Sequence, residues 1–343
     1  MTVAGDFESA AHERLHPAVY DYFAGGADDQ FTVRDNPVAW QRVKLRPRVL
    51  RDVSTVDTRS ALLGAPVAAP IGIAPVAAHR LVHKDGERAT AEGAAAADML
   101  YVVSAMSTCS MEDIAQAAPG AARWFQLYVR GTLERARPLM RRAEASGYTA
   151  LVVTVDVPIL GFRRHEAVSL EQRVELAHFP RGATDGNGVA DRHVALTFED
   201  LATIVSWTTL PVLVKGVLRA DDAAACVRAG VAGIVVSNHG GRQLDTTVDP
   251  PTALAEIASA VGDVAEIYVD GGIRRGTDIV KALALGAHGV LVGRPVIWSL
   301  AAAGADGVRA VLDELATELE RAMKLCGVRT LDELTADLIV GPS

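Results

Sequence analysis

EIYVDGGIRRGTDIVKALALGAHGVLVGRP, residues 266–295, contains the repeating unit of this chain. An apolar run from Glu266 ends at Asp270, and a glycine-rich turn follows. A helical pattern then runs from Thr277 to Leu285, stops at Gly286, and gives way to GVLVGR from Gly289. Short runs with no polar alternation are strands buried on both faces, as in a parallel sheet. Glycine just past a helix end is a C-cap. Reading outward, the same unit recurs. PIGIAP starts at Pro70, LYVVSA at Leu100, ARWFQLYV at Ala122, ALVVTVD at Ala150, PVLVKGV at Pro211 and GIVVSNH at Gly233, giving eight runs in all. Helical patterns lie between them at Lys84–Ala97, Leu133–Ala145 and Ala220–Ala229. Eight βα units close most naturally as an α/β (β/α)8 TIM barrel, with a doubly wound open sheet as the alternative.

The barrel is read as a single domain spanning residues 1–343, with an N-terminal helical segment over about residues 1–60. Within that segment, Phe7 to Phe23 reads as one helix closed by Gly25–Gly26. At the other end, Val308, Val311, Leu312, Leu315, Leu319 and Met323 form an apolar stripe at helical spacing, suited to packing on the barrel. Arg163 to Thr197 has no clear period and would be a lid loop after the fourth strand.

Net charge is −8 and no basic run is present, which argues against nucleic-acid and anionic-membrane partners. The longest uncharged stretch, Ala61 to Ala78, is broken by Pro66, Pro70 and Pro75, so it reads as a buried strand rather than a span. Cys109, Cys226 and Cys326 form no paired motif; no disulfide or metal site is indicated, and a reducing cytoplasm fits. No apolar leader is read at the N-terminus.

In a barrel, every C-terminal strand end opens onto one face. Those ends here carry Ser104, Gln126, Tyr128, Thr154, Asp156, Lys215, Ser237, His239, Asp270 and Arg294. Any one could be a satisfied structural group, but their common placement points to a site. VSNHGGRQ, residues 236–243, sets a histidine three residues before an arginine with two glycines between. The histidine can accept a proton near neutral pH, the arginine can grip a carboxylate, and glycines admit a flat cofactor. Asp270 to Thr277 is a glycine-rich turn opening a helix, and Arg274 and Arg294 follow the seventh and eighth strands, where this fold cradles phosphate. No Walker motif and no dinucleotide fingerprint follows a first strand.

From about Tyr20 to the final helix the chain resembles the FMN-dependent L-2-hydroxy-acid oxidase family. The resemblance rests on VYDYFAGGADD, APVAAH, FQLYV, TVDVP, LPVLVKGV, VSNHGGRQLD, DGGIRRGTDIVKALALGA and VGRP taken together. It implies tight, non-covalent FMN, a 2-hydroxy-acid substrate, O2 as oxidant and a homo-oligomer, a tetramer. It makes His239 the base and Asp156 its partner. Arg163 and Arg242 grip the carboxylate with Tyr22, and Tyr128 bonds the reacting end. It sets Lys215 against the flavin N1–O2 edge. Ser104, Gln126, Thr154 and Ser237, with the backbone of Pro75, Val76 and Ala77, hold the flavin. Asp270 takes the ribityl hydroxyls; Gly271, Gly272, Arg274, Gly293 and Arg294 serve the phosphate end. Phe23, Ala78, Met106 and Leu160 form the substrate pocket. Met106 stands where short-chain oxidases of the family often carry an aromatic residue, which favours mandelate or 4-hydroxymandelate over glycolate or lactate. The lid is shorter near residues 177–184 than the resemblance implies. Rival readings are a family dehydrogenase passing electrons to a quinone, an FMN barrel isomerising a diphosphate, and a non-catalytic barrel.

Overall fold

In the computed structural model, residues 3–164, 174–179 and 196–340 are described. All eight runs form strands, and these close into a parallel barrel. In chain order they are β1 (Ile71–Ile73), β2 (Leu100–Ser104), β3 (Arg123–Leu127), β4 (Ala150–Thr154), β5 (Val212–Val217), β6 (Gly233–Val236), β7 (Glu266–Val269) and β8 (Gly289–Val292). β8 returns to β1 through Leu291 opposite Gly72, so no edge is left open. Every residue of β2, β3 and β4 is buried. That is why these segments carry no alternation.

The two faces of each strand feed two cores. Inward residues Leu100, Val102, Trp124, Val152, Leu213, Val235, Tyr268 and Leu291 fill the barrel. The uncharged 61–78 stretch is spent here. Ser60–Leu62 and Ala65–Val67 form an antiparallel hairpin, and its Leu62 packs into this interior cluster beside the start of β8. Outward residues pack against the surrounding helices.

One helical expectation needs correction. The single helix over Phe7–Phe23 is two: α1 (Val3–Arg14) and α2 (Pro17–Ala24). Proline lacks an N–H and forces its predecessor out of helical backbone. His16 therefore sits at φ −58, ψ 134, and its ring accepts from the Ala18 amide as an N-cap. The break turns α2 across the barrel mouth, carrying Tyr22 and Phe23 with it. The final helix, Arg294–Cys326, is longer than its stripe indicated and leaves helical geometry at Ala303–Gly304. All six stripe residues are buried. It is also the one described helix long and apolar enough to cross a bilayer, but 61% of that window is buried in the fold.

The lid lies largely outside the described residues. Within it, Leu176 bridges Phe179, and the Ala177 amide bonds Ser107 O at 3.0 Å. His178 is driven in edge-on against Phe125. Burial, reinforced by Arg142, pushes its imidazole down to about 4. Its folded value lies below the unfolded one, so its contribution is present above about pH 6.5 and is lost as pH falls through 4. Replacing His178 with Phe should therefore flatten the acid side of the stability profile. By pH 4 the wild type loses about 3 kcal/mol that the variant keeps, as measured by urea midpoints between pH 7 and 4.

Candidate active site

The C-terminal face opens into a cavity of about 1300 Å³, its mouth included. At its centre the chain after β6 turns sharply. His239, Gly240 and Gly241 take φ values of 56°, 63° and 75°. A Cβ on Gly241 would lie 2.6 Å from the Val33 backbone, so only glycine lets this turn press on the N-terminal segment. His239 is not glycine, and its left-handed backbone is held in place by neighbours. Its amide donates to Ser237 Oγ at 3.0 Å, and its Nδ1 lies 3.0 and 3.1 Å from the two carboxylate oxygens of Asp156.

Burial lowers the His239 pKa below its ordinary value; Asp156 opposes that shift and Lys215 adds to it. The imidazole is therefore neutral at pH 7, with Nδ1 oriented by the carboxylate and Nε2 available as a proton acceptor. For Asp156, burial opposes the charge, but His239 and Lys215 more than offset it and its pKa stays low. Lys215 is equally buried, yet Asp270 and Asp156 hold it above the ordinary lysine value. Its Nζ sits 3.1 Å from Asp270 Oδ2 and 2.8 Å from Ser237 Oγ.

Three arginines converge on the other side. Arg294 donates to the carbonyls of Phe23, Gly240 and Gly25, at 2.9, 3.0 and 3.0 Å. Arg242 donates to the carbonyls of Tyr22 and Gly25, with its guanidinium 5.0 Å from the Tyr22 ring centre. Arg274 leaves the turn after β7, whose backbone is anchored by Asp278. Burial, with Arg242 and Arg274 close by, pulls Arg294 down to about 9. Glu8 and Asp270 only partly oppose that fall, so three guanidinium groups gathered at one point suit an anion.

The residues fit FMN on two observations. Asp270 lines the cavity, and its Oδ1 is buried with no hydrogen-bond partner among the described residues, ready to accept from a hydroxyl. Arg274 and Arg294 flank Gly293 and the Gly271–Gly272 turn on the same wall, where a phosphate meets cations and open backbone.

The structure brings most of the predicted residues to this one cavity. Tyr22, Phe23, Pro75, Val76, Ala77, Ser104, Met106, Tyr128, Leu160, Arg163, Lys215, His239, Arg242, Asp270, Gly271, Gly272, Arg274, Gly293 and Arg294 all line it. Five others stand behind the wall. Asp156 backs His239, and Ser237 bridges Lys215 and the His239 amide. Gln126 accepts from Ser104 at 3.2 Å and donates to Thr154 at 3.0 Å, tying both to a residue that lines the cavity. Ala78 was expected in the substrate pocket, but it is fully buried with its amide on Met106 O, so it shapes the wall from behind. Val157, Gln243 and Ile297 line the cavity and were missed. Val157 and Ile297 could have been found, one beside Asp156 and the other three residues along the helix from Arg294.

Fold and site together define a barrel oxidoreductase that uses a flavin mononucleotide. The chain belongs to the FMN-dependent dehydrogenase family, whose model matches residues 11–341. It is 43% identical over 339 residues to 2-hydroxyacid oxidase 2 of Homo sapiens, covering 97% of each chain. It is 43% identical to the peroxisomal (S)-2-hydroxyacid oxidase GLO4 of Arabidopsis thaliana, covering 96% of this chain and 94% of that one. The crystal structure of mandelate oxidase with (S)-4-hydroxymandelic acid superposes with a TM-score of 0.90 at 43% identity over 96% of both chains.

If Arg294 holds the phosphate, Arg294→Met should weaken FMN binding roughly 10- to 100-fold, the loss of a charge-assisted hydrogen bond. Fluorescence titration of apoprotein with FMN measures this, and an unchanged affinity would place the phosphate elsewhere.

Proposed function

We propose that this chain oxidises an aromatic (S)-2-hydroxy acid, mandelate or 4-hydroxymandelate, to the 2-keto acid, with O2 reduced to hydrogen peroxide. The observation that carries the reading is one cavity lined by His239, which Asp156 backs, together with Arg163 and Arg242. A base and two guanidinium groups on one wall suit a small hydroxy carboxylate better than a diphosphate. Met106, Val157 and Leu160 supply an apolar surface beside them. Methionine is polarizable and fits an aromatic ring. The solved mandelate oxidase structures support the same choice.

In this reading Arg163 and Arg242 fix the substrate carboxylate, with Tyr22 packed on Arg242, and Tyr128 bonds the reacting end. That neutralises the anion and turns Cα toward the cofactor. His239 accepts a substrate proton at Nε2, and Asp156 stabilises the imidazolium that results. FMN, when bound, supplies the two-electron acceptor. Arg274, Arg294 and Gly293 would hold its phosphate and Asp270 its hydroxylated chain. Ser104 and Lys215, with the Pro75–Ala77 backbone, would hold its ring system. Lys215 keeps its charge in this buried site, which favours added negative charge on whatever it faces. The assembly we propose is a homotetramer, by resemblance, in the cytoplasm, consistent with three cysteines kept as buried thiols.

Initial rates across a panel should rank S-mandelate and 4-hydroxymandelate above glycolate and L-lactate in kcat/KM, with one peroxide formed per oxygen consumed. The reverse ranking would give the substrate assignment to a short aliphatic acid. No peroxide, with turnover only on a quinone or dye, would make the protein a dehydrogenase.

His239→Ala should keep the yellow colour and lose about 10²–10⁴-fold in the rate of flavin bleaching by substrate under anaerobic stopped flow. A near-normal rate would mean that another group takes the proton.

A further inference from the structure

Two loops form the catalytic wall, and they meet along a seam. One carries His239 and Arg242; the other leaves β4 and carries Asp156, Leu160 and Arg163. Gln243 closes this seam with one side chain. Its Nε2 donates to the carbonyls of Asp156 and Ile159, both at 2.9 Å, and its Oε1 accepts from the Gly161 amide at 3.1 Å. The amide thus saturates three backbone groups of the opposite loop, which a carboxylate or an apolar side chain of the same length cannot do.

Independent contacts show how tightly the seam is drawn. A Cβ on Gly161 would lie 2.6 Å from the carbonyl oxygens of both Arg242 and Gln243, so backbone lies on backbone there. A Cβ on Gly216 would lie 2.5 Å from the Asp156 side chain. Asp156 is therefore held from three directions: Gly216 beneath it, Gln243 on its carbonyl and His239 on its carboxylate.

We propose that Gln243 is a positioning residue that holds Asp156 in register with His239. The proposal rests on the reading of His239 as base. It acts through Asp156, so its effect depends on Asp156 being present. The charged groups acting on His239 are Asp156 from the β4 loop, Lys215 from β5 and Asp270 after β7. Gln243 has a bond to the first of these alone. Loosening Asp156 removes an influence that raises the His239 pKa, and the pKa falls.

The test uses the FMN-loaded enzyme and the variants Gln243→Met and Gln243→Glu, each with and without Asp156→Ala. Flavin content and melting temperature are measured first, and both are expected to stay close to wild type. Two readouts follow. Anaerobic flavin bleaching by S-mandelate should slow about 10- to 100-fold in either Gln243 variant, the scale of a small misplacement. In the Asp156→Ala background the same change should cost little more, because the partner it positions is gone. Nitrogen-15 NMR of labelled histidine, which needs no substrate, should show the His239 imidazole titrating at lower pH in Gln243→Met. Additive losses in the double variants, or an unmoved His239 titration, would overturn the positioning role. The expected fall in the His239 titration, together with no bleaching of the wild-type flavin by any hydroxy acid, would uphold the positioning role and sink the functional reading instead.

Discussion

A neutral imidazole held 3.0 Å from a buried carboxylate is the contact on which the site depends. Two carboxylates, Asp156 and Asp270, share the interior with one ammonium, Lys215. Asp156 opposes the fall in the His239 pKa that burial causes, and Lys215 adds to that fall. A proton arriving on the base is therefore stabilised chiefly by Asp156, in a medium of low dielectric. The same pairing explains why burial does not neutralise the carboxylate and ammonium groups. Each charged member is desolvated, and each is compensated by a partner within bonding distance.

The strained turn at His239 follows from that contact. A left-handed residue without the glycine exemption is unfavourable by itself and persists because its surroundings hold it. Here the Ser237 hydroxyl, the Asp156 carboxylate and the α3 segment (Phe31–Arg42), pressed against Gly241, do so together. Asp245 extends the grip by accepting from the Phe31 and Thr32 amides at the start of that helix. The arginine cluster obeys the opposite rule. Arg242 and Arg294 donate to carbonyl oxygens, and burial and mutual repulsion outweigh the pull of Glu8 and Asp270 on Arg294, so an acidic protein keeps a cationic pocket at the barrel mouth.

The barrel could be read from the chain because parallel strands inside a ring of helices are buried on both faces. Runs such as LYVVS and ALVVT then have no polar positions to confuse the period. The N-terminal break at Pro17 is not legible from periodicity, because a helical pattern continues through a residue that ends one helix and starts the next. The site was legible to the level of strand ends. His239, Lys215, Asp270 and Arg294 are each the polar terminus of an apolar run. Which strand-end groups bond one another was not legible: Gln126 links Thr154 to Ser104, and Ser104 lines the cavity. Gln243 could not be assigned a partner because its three hydrogen bonds run to a loop some 82 to 87 residues earlier in the chain.

Thus local order along the chain determined the eight-strand barrel, the face that carries the chemistry and the inventory of base, cations and carboxylates. Hydrophobic period and strand-end position are properties of neighbouring residues. Tertiary packing alone decided which carboxylate backs the histidine, which carbonyls orient the arginines, and in which direction each pKa moves. Those outcomes depend on distances of about 3 Å between groups far apart in sequence and on the water excluded around them, and electrostatic energy changes steeply with both.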